Sequence, residues 1–154
     1  MEHRFQAIVY LSKTAAREYY AIERTPSYVT IGLSINVDPA SPPLTIMNTP
    51  GAVMITMNYA YNHRRLQKVN SPRQAFDFGN VNVNILPSPF TSDSMTYEEA
   101  FHAVRGAWEW TADRRWGRGF KASVVRGRTP ERQGVSVGGV VFVPVAGEEG
   151  VEAL

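Results

Sequence analysis

The sequence predicts one two-layer α+β domain, in which a mostly antiparallel sheet of about five strands carries one long amphipathic helix on one face. Three observations lead there. Period-two alternation recurs in several short stretches, one stretch in the C-terminal third has the 3-4 apolar spacing of a helix, and no repeat or linker divides the 154 residues. Apolar residues make up 44% and charged residues 19%, the balance of a chain that buries a core rather than staying unfolded.

The N-terminal 25 residues admit two readings. Lys13 to Ile22 forms either a short helix, with Tyr19 and Ile22 inward, or the arm of a hairpin. The apolar patch from Phe5 to Leu11 is too short and too polar for a secretory core or a membrane span. The chain as given therefore reads as cytoplasmic, with secretion left open if a leader has been removed, and no membrane partner is expected.

Alternation next appears from Val29 to Val37, where Val29, Ile31, Leu33, Ile35 and Val37 interleave with Thr30, Gly32, Ser34 and Asn36. It recurs at Val53, Ile55, Met57, Tyr59 and Tyr61 against Met54, Thr56, Asn58 and Asn62, and again at Val81, Val83 and Ile85 against Asn80, Asn82 and Asn84. Each reads as a half-buried strand. The connection Asp38 to Pro43, followed by Thr49-Pro50-Gly51, cannot continue a ladder. Leu86 to Ser94, with Pro87 and Pro89, reads as a loop.

The helix spans 97 to 115. Thr96 caps it and Glu99, three residues on, closes a capping box. Tyr97, Ala100, Phe101, Val104, Ala107, Trp108 and Thr111 line one face, so Phe101, Val104 and Trp108 should pack on the sheet. Glu98, His102, Arg105 and Glu109 then fall on the exposed face, and Gly117 and Gly119 supply left-handed residues at the end. Phe120 to Val124 and Val135 to Val145 follow as strands, joined as a hairpin through the turn at residues 126–130.

From Ala75 to about Val143 the chain resembles a set of small fungal proteins in which a strand leads through a proline-containing loop into a helix. Their helix pattern, threonine, aromatic, apolar residues, Arg-Gly and then Trp-Glu-aromatic, is matched by Thr96-Tyr97 through Arg105-Gly106 to Trp108-Glu109-Trp110, and Val137-Gly138-Gly139-Val140 fits their terminal strand. The resemblance covers under half of the chain. It implies an α+β fold and no activity or site.

Cysteine is absent, which excludes disulfides, thiolate zinc and a cysteine nucleophile. His3, His63 and His102 lie at no metal-ligand spacing, Gly-x-Ser-x-Gly does not occur, and Gly117-Arg118-Gly119 follows a helix rather than opening one. No metal or cofactor is expected. Acid–base chemistry would fall to Tyr59, Tyr61 and His63 at a strand end, with Asp77 inward by parity with Val81 and Val83. His102, on the polar face, reads as solvated or paired with Glu98.

Net charge is +2, yet residues 105 to 132 hold eight Lys or Arg against three acids, and the last seven residues hold three acids. Arg114, Arg115 and Arg118, interleaved with Trp110, Trp116 and Phe120, have the composition of a phosphate- and base-binding surface. Asp113, Glu109 and Glu131 dilute it, so nucleic acid is not expected as a specific partner. The outer sheet face, with Thr30, Ser34, Asn36, Thr56, Asn58, Asn62, Asn80, Asn82 and Asn84, is neutral and hydrogen-bonding where solvent faces usually carry Lys and Glu.

These features favour a noncatalytic binding or self-assembly protein. Its expected contacts are Asn58, Asn80, Asn82 and Asn84 on the sheet, or Arg114, Arg115 and Arg118, and its partner is a second copy, a glycan or a small molecule. The alternative is a cofactor-free isomerase or cyclase with Tyr59, Tyr61, His63 and Asp77 around a cavity between sheet and helix.

Overall fold

The computed structural model describes residues 16–70, 74–89 and 93–145, so the apolar patch at residues 5–11 and the acidic tail lie outside the described residues. Within them the chain is α+β, and one six-stranded antiparallel sheet carries two helices. In chain order the elements are β1 (Ala16–Ala21), β2 (Ile31–Val37), α1 (Thr49–Tyr61), β3 (Gln74–Phe78), β4 (Val81–Pro87), α2 (Tyr97–Arg114), β5 (Phe120–Arg126) and β6 (Val135–Pro144). The strand order is β1-β2-β5-β6-β4-β3.

Both helices lie on one face, and ring contacts settle which. Register places Phe76, Val83, Phe142 and Phe120 on the same side of the sheet. Tyr59 of α1 meets Phe76 at 4.7 Å between centroids, and Trp110 of α2 meets Phe120 at 5.0 Å. The side chains between them, Leu33, Ile35, Val83, Ile85, Val140 and Phe142, are fully buried.

The alternation at β2, β4, β5 and β6 translates into strands as expected. The segment 53–61 does not: residues 49–61 form α1. Its alternation of Val, Ile, Met and Tyr arises because buried and exposed helical positions are both apolar, whereas the buried set Thr49, Ala52, Val53, Thr56 and Ala60 has the i, i+3, i+4, i+7 spacing of a helix face. Pro50 opens the helix rather than forbidding it, since a first-turn residue needs no N–H partner. Asn58 is therefore an exposed helical residue, and Asn62 caps the helix end. The six strands include β1 and β3, neither of which alternation revealed. Of the two readings for Lys13 to Ile22, residues 16–21 take the hairpin arm, paired with β2.

Two further corrections follow from turn geometry. Phe78 pairs with Val81 across the two-residue turn Gly79-Asn80, with Gly79 at φ 59°, so Asp77 pairs with Asn82 and points to the outer face. Counting parity through the turn had put it inside. Asn80 sits in that turn, where its Oδ1 accepts from Thr45 Oγ1 at 2.7 Å and Asn48 Nδ2 at 2.9 Å, tying the hairpin to the start of α1.

Helix α2 opens with the expected capping box: Thr96 Oγ1 accepts from the Glu99 N–H at 3.1 Å and Glu99 Oε1 accepts from the Thr96 N–H at 2.9 Å. The Tyr97 and Glu98 N–H groups donate to the Gln67 and Arg65 carbonyls, so the loop after α1 completes the N-terminus. The left-handed residue at the other end is Arg115, φ 52°, and neither Gly117 nor Gly119. Gly106 is the glycine that packing requires, because a Cβ there would stand 2.6 Å from Ile22 Cγ1.

The buried side of α2 is shifted from the expected one. Tyr97, Ala100, Val104, Ala107 and Thr111 are buried as expected, but Phe101 and Trp108 are only half-buried, while Ala103 and Trp110, outside the expected face, are fully buried. Helix α1 packs along α2, and the segment between β1 and β2 covers a further side, where the Tyr28 hydroxyl bonds Glu98 and Arg105 lies between His102 and the Glu23 carbonyl. Replacing Trp110 with Ala should thus cost about 3 to 5 kcal/mol in equilibrium urea unfolding, and Phe101→Ala less than half as much. Equal losses would mean that the expected face was right after all.

Candidate functional site

Helical geometry decides where the candidate acid–base residues go. In a strand Tyr59, Tyr61 and His63 would share a side; in a helix residues four apart share a side and residues two apart diverge. Tyr59 and His63 accordingly gather inward at 4.5 Å between centroids, with the His63 ring stacked on Tyr97 at 4.1 Å. His63 Nδ1 lies 2.8 Å from the Tyr59 carbonyl, which only accepts, so that nitrogen carries the proton. Burial and a hydrogen bond with Tyr97 push the Tyr59 phenol up to about 12. The Tyr59 phenol therefore keeps its proton at neutral pH. Tyr61 faces the opposite way, 74% exposed, and Asp77 lies on the far side of the sheet. The structure does not bring the four together.

Tyr61 instead borders a groove of about 480 Å³ between the C-terminal end of α1 and the first two turns of α2. Phe101 packs against Tyr61 at 5.9 Å and edge-on to His102 at 5.2 Å, giving the groove apolar walls. Its polar groups are Glu98, His102 and Arg65. Tyr28 donates its hydroxyl to Glu98 Oε2 at 3.0 Å, and Arg65 Nη1 donates to that same hydroxyl oxygen at 2.7 Å. Glu98 Oε1 is buried and has no hydrogen-bond donor among the described residues.

His102 is held neutral. Burial lowers its pKa, and the neighbouring Arg105 guanidinium lowers it further, against a partial opposing effect of Glu98 and Glu109. Arg105 Nη2 lies 3.1 Å from His102 Nδ1, and since a guanidinium only donates, Nδ1 is the accepting nitrogen.

No protein family, curated protein or solved structure matches this chain. Function must therefore be argued from these residues alone.

The other candidate contacts are dispersed. Arg114 is buried in an ion pair with Glu18 of β1, with its guanidinium 6.0 Å from the Tyr20 ring centroid. Arg115 is exposed at the end of α2, and Arg118 donates to the Ser41 carbonyl at 2.7 Å. Arg105 and Arg126 are engaged by Glu109 and Glu99. Of the eight basic residues from 105 to 132, Arg105, Arg114 and Arg126 are thus held in ion pairs with Glu109, Glu18 and Glu99.

The outer sheet face keeps Ser34, Asn36, Asn82 and Asn84 and loses Thr56, Asn58, Asn62 and Asn80. It also carries charge, because β1 and β5 bring Arg17 and Lys121 beside Asn36. Asn82 donates to Asp77, Asn84 donates to Asn82, and Arg17 Nε donates to Asn36 Oδ1 at 3.0 Å. Much of the face thus satisfies itself. Among the described residues no group of three or more His, Asp or Glu could hold a metal ion, and no helix is long and apolar enough to cross a membrane.

Glu98 and His102 were the residues that reasoning on one helix missed. Their i, i+4 spacing was visible, but the residues that pack beside them, Ile22, Glu23 and Tyr28, precede α2 by about 70 or more positions and carry no local signal of that contact.

The neutral imidazole sets a pH dependence. Unfolding frees His102 to its ordinary value of 6.5, so the unfolded chain binds more protons below that pH. Its contribution to stability is complete above the ordinary value and is lost as pH falls through it. Urea midpoints at about pH 7.5 and pH 5.5 should drop more in the parent than in His102→Gln; equal drops would show that His102 is not held neutral.

Proposed function

We propose that this is a noncatalytic self-assembly protein whose contact surface is the outer side of α1 and the loop before it. One observation carries this reading: none of the 13 residues of α1 is charged, and its solvent side exposes Met54 at 67% and Ile55 at 40%. Just before it, Ile46 is 83% and Met47 82% exposed. Monomeric domains rarely expose apolar side chains side by side in this way. Beside them runs an apolar groove of about 450 Å³, bordered by Leu44, Ile46, Pro50, Trp108 and Trp116, a recess into which a side chain of a second molecule fits.

The occupant favoured is a second copy of the chain. An uncharged helix meets its own copy across a two-fold axis without placing like charges opposite one another, whereas a charged foreign partner would find nothing on α1 to pair with. Full burial of a Met or Ile side chain is worth about 1.5 to 3 kcal/mol, and a two-fold contact buries each of these residues twice. That gain is of the size needed to offset the cost of association.

The polar sheet face supports the same function less well, because Asn82 and Asn84 already bond within the face. The isomerase or cyclase alternative has less support again, with Asp77 on the side of the sheet opposite to Tyr59.

Light scattering coupled to size exclusion should find a dimer at tens of micromolar. Met54→Glu should be monomeric with its thermal midpoint within a few degrees of the parent, since the side chain is already largely exposed. Asn82→Lys should remain dimeric. A monomeric parent would overturn the proposal, and dissociation by Asn82→Lys but not by Met54→Glu would move the contact to the sheet.

A further inference from the structure

We propose that the groove between α1 and α2 is a binding site for a primary ammonium group carried on a small apolar or aromatic body, with Glu98 as its anchor. This site is separate from the α1 contact surface and does not rest on it.

The anchor is an unsatisfied acceptor. Glu98 is 9% exposed, Oε2 is held by Tyr28, and buried Oε1 meets no donor among the described residues. A buried carboxylate oxygen without a partner is costly, and the cost is removed by any donor brought to it. A charged donor does so best, because charge-assisted hydrogen bonds are about twice as strong as neutral ones. The Glu98 side chain that carries this oxygen lines the groove.

The surroundings fit a cation with an organic body. Tyr61, Phe101 and Tyr97 line the groove and offer aromatic faces to a cation and apolar area to whatever carries it. The pKa of His102, which also lines the groove, is lowered by its burial and by Arg105. Arg65 also lines the groove, but its Nη1 is bound to the Tyr28 hydroxyl, where it braces the donor that holds Oε2. The volume of about 480 Å³ lies within the range of small-molecule sites. An anion would meet the Glu98 carboxylate, and a purely apolar molecule would leave Oε1 unpaired.

The probe is phenethylammonium, with 2-phenylethanol as its neutral counterpart, titrated by calorimetry at neutral pH. The ammonium should bind at least about tenfold tighter than the alcohol, the ratio that 1.4 kcal/mol sets. Glu98→Gln should lose that preference. Tyr61→Ala removes an exposed wall without touching the core, so it keeps its fold and should weaken the ammonium several-fold even if Glu98→Gln proves unstable. Met54→Glu should bind as the parent does, which separates this test from that of assembly. Equal binding of ammonium and alcohol, binding of neither, or full affinity in a folded Glu98→Gln or in Tyr61→Ala would each overturn the proposal.

Discussion

The buried carboxylate of Glu99 holds the two layers in register. Its Oε1 accepts from the Thr96 N–H and from Arg126 Nη2 at 2.7 Å, while Oε2 accepts from Arg126 Nε at 2.6 Å. Arg126 is the last residue of β5, and its Nη2 also reaches the Ser94 carbonyl at 3.1 Å. Glu99 thus caps α2 and binds a strand end, and its partner Arg126 fixes the entering loop. Burial alone would raise the Glu99 pKa, but the bonds from Arg126 and the Thr96 N–H outweigh it and the pKa is lowered. The charge is tolerated because its acceptor sites are filled, the condition under which a buried pair is not a liability.

A second pair repeats the arrangement with the signs exchanged. At the far end of α2 the helix supplies the cation, Arg114, and the sheet supplies the acid, Glu18 of β1, whose Oε1 also accepts from Trp110 Nε1 at 3.2 Å. The placement agrees with the helix dipole: the acid is near the N-terminus and the base near the C-terminus. With both ends fixed, α2 cannot slide along the sheet, and α1 must pack beside it. The residue next to Glu99 is buried beside Tyr28 with one oxygen bonded and no donor at Oε1 among the described residues.

The strands and the main helix were legible because their signals are local. Alternation in β2, β4, β5 and β6 and the Thr96/Glu99 box require no knowledge of neighbours. Helix α1 was not legible, since period two and period 3.6 are separable only when the solvent side is polar, and Met54, Ile55 and Tyr61 remove that contrast. The fully buried side is mostly small, with Ala52, Thr56 and Ala60 beside Val53, which marks a close approach rather than a hydrophobic stripe. The side taken by Tyr61 and the location of Asn58 were displaced with that segment. Asp77 was lost for a different reason, because parity cannot be carried through a two-residue turn; opposing residues, Phe78 with Val81, are what define it.

Natural domains generally satisfy local propensity, burial and polar pairing together, and departures from that agreement concentrate where a structure serves something other than its own stability. Two such departures lie on the helical layer. On the sheet's outer face, Asp77, Asn82 and Asn84 form a chain of hydrogen bonds, and the Arg128 guanidinium sits 4.0 Å from the Tyr19 ring centroid. On the helical layer, by contrast, apolar side chains from Ile46 to Ile55 face water, and a carboxylate oxygen is buried without a donor. Neither feature stabilises a monomer: the first exposes surface that folding could have covered, and the second withholds a hydrogen bond that a serine or lysine nearby could have supplied. They also have different remedies, because exposed area is relieved by another apolar surface and an unpaired acceptor only by a donor. Met54 and Tyr61, seven residues apart, share the solvent side of α1, so the exposed apolar residues lie near the middle of that helix and the groove at its C-terminal end.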